Sequence, residues 1–387
     1  MHTRVTKLFG IDFPIFAFTH CRDVVAAVSN AGGFGVLGAV AHTPEQLDVD
    51  LRWIREHTRS RPFGVDLLIP RKYVGAERGG IDAAGLQAML PEEHRQWLEA
   101  LLARYDIPPL PPPAPGSSRT PRAMAVDPKS MAPLIDVAFS HDIRLIASAL
   151  GTPPAWLIER ARAHGVPVAA LAGRIDHAIA HRDAGVDLII AQGTEGGGHT
   201  GEIATMVLVP QVVDAVAPTP VLAAGGIASG RQMAAALALG AEGVWCGSVW
   251  LTTHEAETVP AVKEKFLAAS SADTRRSRSL TGKPARMLRS AWTDAWEAPD
   301  APAPLPMPLQ SLLVTEAQRR IHRVVHKSDS SARELATYFV GQVVGQLNET
   351  KPARRVVAEM VQEFSEVLER LQALVAEPDD AASPVPS

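Results

Sequence analysis

Short apolar runs alternate with helix-patterned stretches from the start of the chain to about residue 248, and no other feature restricts the fold as strongly. Eight runs read as strands: the end of 11–18, then 35–39, 63–69, 143–149, 167–171, 186–191, 220–224 and 243–248. Each has an apolar core too short for a helix and is bounded by turn signals. Helical patterns fill 22–30, 44–56, 133–141, 154–164, 175–184, 207–216 and 230–239. Thr43 and Pro44 make a helix start, an N-cap hydroxyl followed by proline at the first helical position. Strands separated by helices pair in parallel. Eight such units in series predict an α/β fold closed as a (β/α)8 TIM barrel. An open doubly wound sheet is the alternative, although eight units exceed its usual six.

The alternation breaks once, at residues 71–129. A helix is expected near 91–105, and the proline-rich stretch 108–118 reads as an irregular or polyproline-like connection. The segment is either an insertion after the third strand on the ligand-facing side or a surface excursion. Beyond Ser248 the pattern predicts helices at 263–271, 318–326, 332–347 and 354–374, with a proline-rich linker at 299–308. The expected layout is a barrel over 1–252, a helical extension over 253–376 on its mouth and side, and a disordered tail over 377–387.

A formal net charge of -4 gives no reason to expect a nucleic-acid partner. The two cysteines, Cys21 and Cys246, make neither a disulfide framework nor a metal-spacing pattern, so no metal is expected. No apolar stretch is long enough to span a bilayer and the N-terminus lacks a signal-type apolar core. A cytoplasmic protein acting on a small molecule is expected, and a homodimer is compatible with this composition.

A barrel gathers the residues that follow its strands onto one face. Here these are Thr19, His20 and Cys21, then Asp66, then Gln192, Gly197 and His199, then Gly225 and Gly226, then Gly247 and Ser248. The sharpest group is the run from Gln192 to Gly201, where five glycines surround His199. An imidazole with a reference pKa of about 6.5 suits proton abstraction near neutrality. Holding the loop by one hydrogen bond is the plainer role. Glu195 either orients His199 or is solvated. Gln192 ends a buried strand with an amide that both donates and accepts, which suits a heteroaromatic ring edge or a loop anchor. Gly225-Gly226 leads into a helix, so its N–H groups suit a phosphate, unless the glycines only tighten a turn. Thr19, His20 and Cys21 are expected to line the substrate pocket. Cys246 reads as inert core. No dinucleotide-binding GxGxxG, P-loop or HExxH pattern occurs.

Taken together, these residues resemble a known family. Gln192-Gly193-Thr194-Glu195-Gly196-Gly197-Gly198-His199-Thr200-Gly201 resembles the QGxExGGHxG signature of the nitronate monooxygenases. Ala223-Ala224-Gly225-Gly226-Ile227 and Trp245-Cys246-Gly247-Ser248 are similar to the family's next two turns. Thr281-Gly282-Lys283-Pro284-Ala285-Arg286, Arg289, Trp296-Glu297 and Gly341-Gln342-Val343-Val344-Gly345 extend the likeness over nearly the whole chain. The resemblance implies a TIM barrel binding FMN non-covalently. Asp66, Gln192, Gly197, Gly225, Gly226, Trp245, Cys246, Gly247 and Ser248 would contact the cofactor, and His199 would act as catalytic base or position the substrate. Three departures stand out: Ala17-Phe18-Thr19-His20-Cys21 where the family has Ala-Pro-Met, Asp66 where many members have Asn, and the long 71–129 segment. The implied activity is oxidation of alkyl nitronates with O2 to a carbonyl compound and nitrite. The alternative on the same scaffold is reduction of an enoyl thioester, with NAD(P)H as electron donor. A flavin-binding protein with a dead site is the non-enzymatic reading.

Overall fold

The structure is a computed structural model, and it describes residues 1–68, 73–75, 80–112, 128–327 and 330–375. In chain order the strands are β1 (Ile15–Thr19), β2 (Phe34–Gly38), β3 (Phe63–Leu68), β4 (Ile146–Ala149), β5 (Val168–Ala172), β6 (Leu188–Gln192), β7 (Gly198–His199), β8 (Val221–Ala224), β9 (Gly243–Cys246), β10 (Thr274–Ser277) and β11 (Ala285–Leu288). Eight of them close a barrel in the order β1-β2-β3-β4-β5-β6-β8-β9. Every neighbouring pair is parallel, and β1 meets β9 with Phe16 opposite Trp245. The barrel expectation therefore holds and the open sheet does not.

Strand alternation divides the core into two layers. Ala17, Val65, Leu67, Ile189, Ala191, Val244 and Cys246 turn outward and pack beneath the surrounding helices. Phe16, Phe34, Val36, Ala147, Ala169, Leu188, Ile190, Leu222 and Trp245 turn inward and fill the lumen. The helix Arg4–Phe9, too short to show in the sequence pattern, is fixed by a Thr3 capping box. It sends Val5 and Phe9 into the lumen cluster. The Phe9 ring lies 5.5 Å from Phe16 and 4.9 Å from Phe34, so this helix packs against the apolar filling of the barrel.

The segment after β3 carries helices Ala83–Ala88 and Glu92–Arg104. Leu86, Leu98, Leu101 and Leu102 share a second apolar cluster with Phe266, Trp292, Leu312 and Ile321 from beyond the barrel. Arg320 locks the two parts: its guanidinium meets the Glu99 carboxylate at 2.7 Å and the Ile107 and Pro108 carbonyls. The proline-rich residues 113–118 and the expected tail 377–387 lie outside the described residues.

The helix predicted over 332–347 is largely absent. Only Ala332–Leu335 is α-helical, and Gln342–Gln346 is a short 3-10 turn. Gly341 breaks it by packing against the His199 loop: a Cβ there would sit 2.5 Å from the Glu195 carbonyl oxygen. The last helix, Ala353–Val375, lies on helices Arg22–Asn30 and Gly230–Ala238 through Val356, Val357 and Met360. Among the described residues no helix is long and apolar enough to cross a membrane.

Candidate active site

The His199 loop leaves β6 at Gln192 and is stitched down on three sides. Gly193 N–H donates to the Ala224 carbonyl and Thr194 N–H to the Ile203 carbonyl. A Cβ on Gly193 would lie 2.1 Å from Thr205 Oγ1, so this crossing admits only glycine. Gly197 likewise meets the Gly341 backbone, at 2.8 Å from a notional Cβ. β7 then pairs antiparallel with β11, setting Ala285 opposite His199 and Arg286 opposite Gly198. The sequence signal for β7 was hidden because two residues between glycines carry no period.

Glu195 neither orients His199 nor stands in solvent. Its carboxylate accepts from Thr205 N–H at 3.1 and 3.0 Å and from the Thr205 hydroxyl at 2.9 Å. It thereby caps the helix Thr205–Val216 and complements its dipole. Buried Arg286 holds the other side of the turn, donating from Nε to the Thr194 carbonyl at 2.9 Å.

His199 is anchored by one hydrogen bond: Nε2 lies 2.9 Å from Thr281 Oγ1. Lys283 N–H also donates to that hydroxyl, which lies 3.2 Å from the Lys283 carbonyl. If the hydroxyl proton goes to the carbonyl, Nε2–H is the donor and Nδ1 the basic nitrogen; if it goes to Nε2, Nδ1 carries the proton. Burial, with the Lys283 ammonium as a second cause, pushes the imidazole pKa down to about 4. The ring is therefore neutral at pH 7.

The next two turns offer backbone donors. Gly225 (φ 99°) and Gly226 (φ 69°) take left-handed conformations suited to glycine. Gly226 N–H and Gly247 N–H have no backbone acceptor among the described residues. Gln232 clamps the first turn, donating to the Gly226 carbonyl at 2.6 Å and accepting from Ala228 N–H at 2.8 Å. Ser229 caps the helix Gly230–Ala238 that follows. Ser248 opens a 3-10 turn instead of ending the last strand, and its Oγ accepts from Gly341 N–H at 2.8 Å. Unpaired N–H groups beside a helix start fit an anionic phosphate.

Over the lumen the polar inventory is small. Of the side chains that the barrel strands turn inward, Asp66 and Gln192 alone are polar among the described residues. Asp66 is 6% exposed, and burial raises its pKa to about 7. Trp245 stacks on Phe18 at 6.2 Å and on Phe16 at 6.3 Å. His20 packs on Gly38, its Nδ1 2.8 Å from the Gly38 carbonyl oxygen. The His20 ring is exposed, yet the protein mass around it lowers its pKa, as expected for a side chain lining a recess. Thr19 accepts from Cys21 N–H and shapes the turn.

One cysteine expectation needs correction and the other, Cys246 as core, agrees with the structure. Cys21 does not line the mouth beside His20: it is buried in the strand–helix layer, with its thiol 3.0 Å from the Glu255 carbonyl oxygen. Cys246 likewise points outward into that layer, and burial pushes its thiol up to about 12. Any cofactor contact at 246 comes from backbone. Arg286, Thr205, Gln232 and Thr281 act as supports that sequence reasoning did not assign: Thr281 and Arg286 stand in the family-like run with no stated role, and Thr205 and Gln232 have no local pattern of their own.

A family model described as nitronate monooxygenase matches residues 2–363. A Mycobacterium tuberculosis protein named as a monooxygenase is 65% identical over 375 residues, spanning 97% of this chain and 100% of its own. The structure of a nitroalkane oxidase from Streptomyces ansochromogenes is similar with a TM-score of 0.76 and 28% identity, covering 95% of this chain and 99% of that one. FabK from Thermotoga maritima is similar with a TM-score of 0.71 and 28% identity, covering 97% and 100%.

Proposed function

The chain belongs to the nitronate monooxygenase family, whose members are oxidoreductases, and from that premise we propose that it is an FMN-dependent enzyme oxidising alkyl nitronates with O2 to a carbonyl compound and nitrite. The observation that carries this reading is the neutral, singly anchored imidazole of His199 on a glycine loop between Gln192 and the Gly225-Gly226 turn.

The residues present fit the cofactor. The N–H groups of Gly226 and Gly247, beside the Ser229-capped helix, suit its phosphate. Asp66 and Gln192 suit the polar edge of a ring, and the Phe18–Trp245 stack offers an apolar surface beneath one. When bound, FMN supplies the electron acceptor and the route to O2. In the tautomer that donates from Nε2, His199 accepts the proton at Nδ1 when the substrate arrives as a neutral nitroalkane. Thr281 then keeps the opposite nitrogen protonated, so the basic lone pair stays on one side of the ring. Held near a pKa of 4, His199 is uncharged at pH 7 and open to accept a proton, though as a weaker base than an ordinary imidazole. His20 lines the recess and shapes what substrate can enter.

A second reading keeps the same cofactor and replaces the substrate with an enoyl thioester and the electron source with NAD(P)H. Its support is the helical layer after β3, stacked on the C-terminal extension, together with the whole-length likeness to FabK. Anaerobic addition of a nitronate, NADPH and NADH in turn separates the two. Flavin bleached by the nitronate alone supports the first reading; rapid bleaching by a pyridine nucleotide replaces it with the second. We also read the protein as a homodimer, joined through the exposed apolar residues Leu368, Leu371, Leu374 and Val375 of its last helix.

A further inference from the structure

The lumen of the barrel is apolar except at its catalytic end, and there it holds one ionisable side chain. Asp66 sits on β3 with Gly38 beside it on β2 and Ala147 on β4. The flanking outward residues Val65 and Leu67 belong to the strand–helix layer, so alternation turns the Asp66 carboxyl inward. It is 6% exposed.

Nothing described neutralises it. No ion pair or hydrogen bond to its carboxyl is found among the described residues. The inward positions on every barrel strand around it are Phe16 and Phe18, Val36 and Gly38, Ala147, Ala169 and Leu171, Ile190 and Gln192, Leu222 and Ala224, and Trp245. None is titratable. The nearest titratable group on these strand ends is His20, whose ring packs over Gly38 and whose Nδ1 is already engaged with the Gly38 carbonyl. His42, from the loop after β2, bonds the Asp50 carboxylate at 2.9 Å. Arg71 and Lys72, which follow β3, lie outside the described residues.

A carboxylate without a cation is tolerable only while some water reaches it. A ring laid over the lumen removes that water. The charged form then has no compensation, whereas the acid form gains a donor that ring carbonyl or nitrogen acceptors satisfy. We propose that Asp66 engages the bound cofactor as a neutral carboxylic acid, so that cofactor binding takes up a proton. This rests on the flavin assignment above. Gln192, the other inward polar group, carries no charge and stays the same at every pH.

Burial already raises the Asp66 pKa to about 7 before anything covers it. The flavin-free full-length protein is therefore mixed with FMN in weak buffer, and proton uptake is read with an indicator dye for wild type and Asp66→Asn. Subtracting the variant removes the contribution of the FMN phosphate. At pH 8 the wild type takes up about 0.9 more protons per FMN than the variant, falling to about 0.1 at pH 6. The FMN Kd of the wild type, relative to the variant, weakens about tenfold per pH unit above 7. Equal proton uptake in the two proteins, with tight binding in both, overturns the role of Asp66 and leaves the flavin assignment standing. A wild-type Kd that tightens with rising pH relative to the variant also overturns it, since the carboxylate would then be the bound form. Failure of both proteins to bind FMN at any pH overturns the flavin assignment and this inference with it.

Discussion

The position of the His199 titration is the sharpest consequence of the site geometry. Burial, then the Lys283 ammonium, hold the imidazole pKa at about 4. At pH 5 about 0.9 of such a histidine is neutral, against about 0.03 for one at the reference value of about 6.5. The two cases differ about 30-fold in active base at that pH. The assay is kcat/KM for a neutral nitroalkane between pH 4 and pH 8, with activity re-measured at pH 7 after each exposure to exclude inactivation. Because Asp66 titrates near 7 in the flavin-free protein, the profile is repeated with Asp66→Asn to separate any loss of flavin from the His199 limb. The expected acid limb lies near pH 4, and the rate at pH 5 stays within about twofold of that at pH 7. Lys283→Met removes the second cause and moves the limb upward. His199→Ala leaves flavin bound and lowers kcat by roughly 10² or more if the ring is the base. A limb near 6.5 in the Asp66→Asn protein refutes the reasoning, since it would mean a well-solvated imidazole rather than a desolvated neutral one.

Gly226→Val should strip FMN: φ 69° is costly for a β-branched residue, and a Cβ there meets the Glu195 Cβ at 3.0 Å. Normal flavin affinity by fluorescence titration would place the phosphate elsewhere. In flavin-free protein, Asp66 has a folded pKa of about 7 against about 3.9 unfolded, so the native state holds more protons between those values. Wild-type stability relative to Asp66→Asn therefore falls as pH rises from about 4 to about 7 and is level above that, by on the order of 4 kcal/mol as an upper bound. Denaturant melts that show a constant difference across this window would show that Asp66 is compensated. Leu371→Asp should halve the mass seen by light scattering, because Leu368, Leu371, Leu374 and Val375 are 41%, 44%, 73% and 82% exposed on one helix end. A wild type that runs as a single 41.3 kDa chain removes the dimer reading.

The barrel was legible because its signal is repeated. Each strand is a short apolar run between turn residues, and eight repeats outweigh errors of one to three residues at any boundary. β3 was expected over 63–69 and is described over Phe63–Leu68, with Ile69 outside the described residues; β9 was expected to Ser248 and ends at Cys246, where the chain turns into a 3-10 segment. What failed was structure whose cause lies far away in sequence. The helix expected over 332–347 has adequate local periodicity, but Gly341 must pass within contact of Glu195 and Gly197, and Leu288 N–H takes the Tyr338 carbonyl. Tertiary packing overrides propensity there. β7 exists only because β11 lies beside it.

The same division separates the two kinds of site residue. His199, Gln192 and the paired glycines stood out as candidates because function at a strand end needs unusual residue types, and unusual types are visible one at a time. Their supports are ordinary residues in ordinary places: Thr205, Gln232, Thr281 and Arg286 gain meaning only from the atoms they reach. Cys21 shows the converse error, whereas Cys246 is the core residue expected of it. Cys21 and Cys246 stand at the right places in sequence, but side chains alternate across a strand and its following turn, and both thiols fall on the helix side. Asp66 falls on the lumen side by the same rule, which is why one carboxyl with no described cation ends up facing the site. The parity of a residue along its strand decides its chemistry here as much as its type does. Moving the carboxyl by one position, with Asp66→Val and Val65→Asp together, should abolish any Asp66-linked proton uptake without restoring a lumen acid. Proton uptake retained by that double variant would show that the coupling never depended on which way the side chain points.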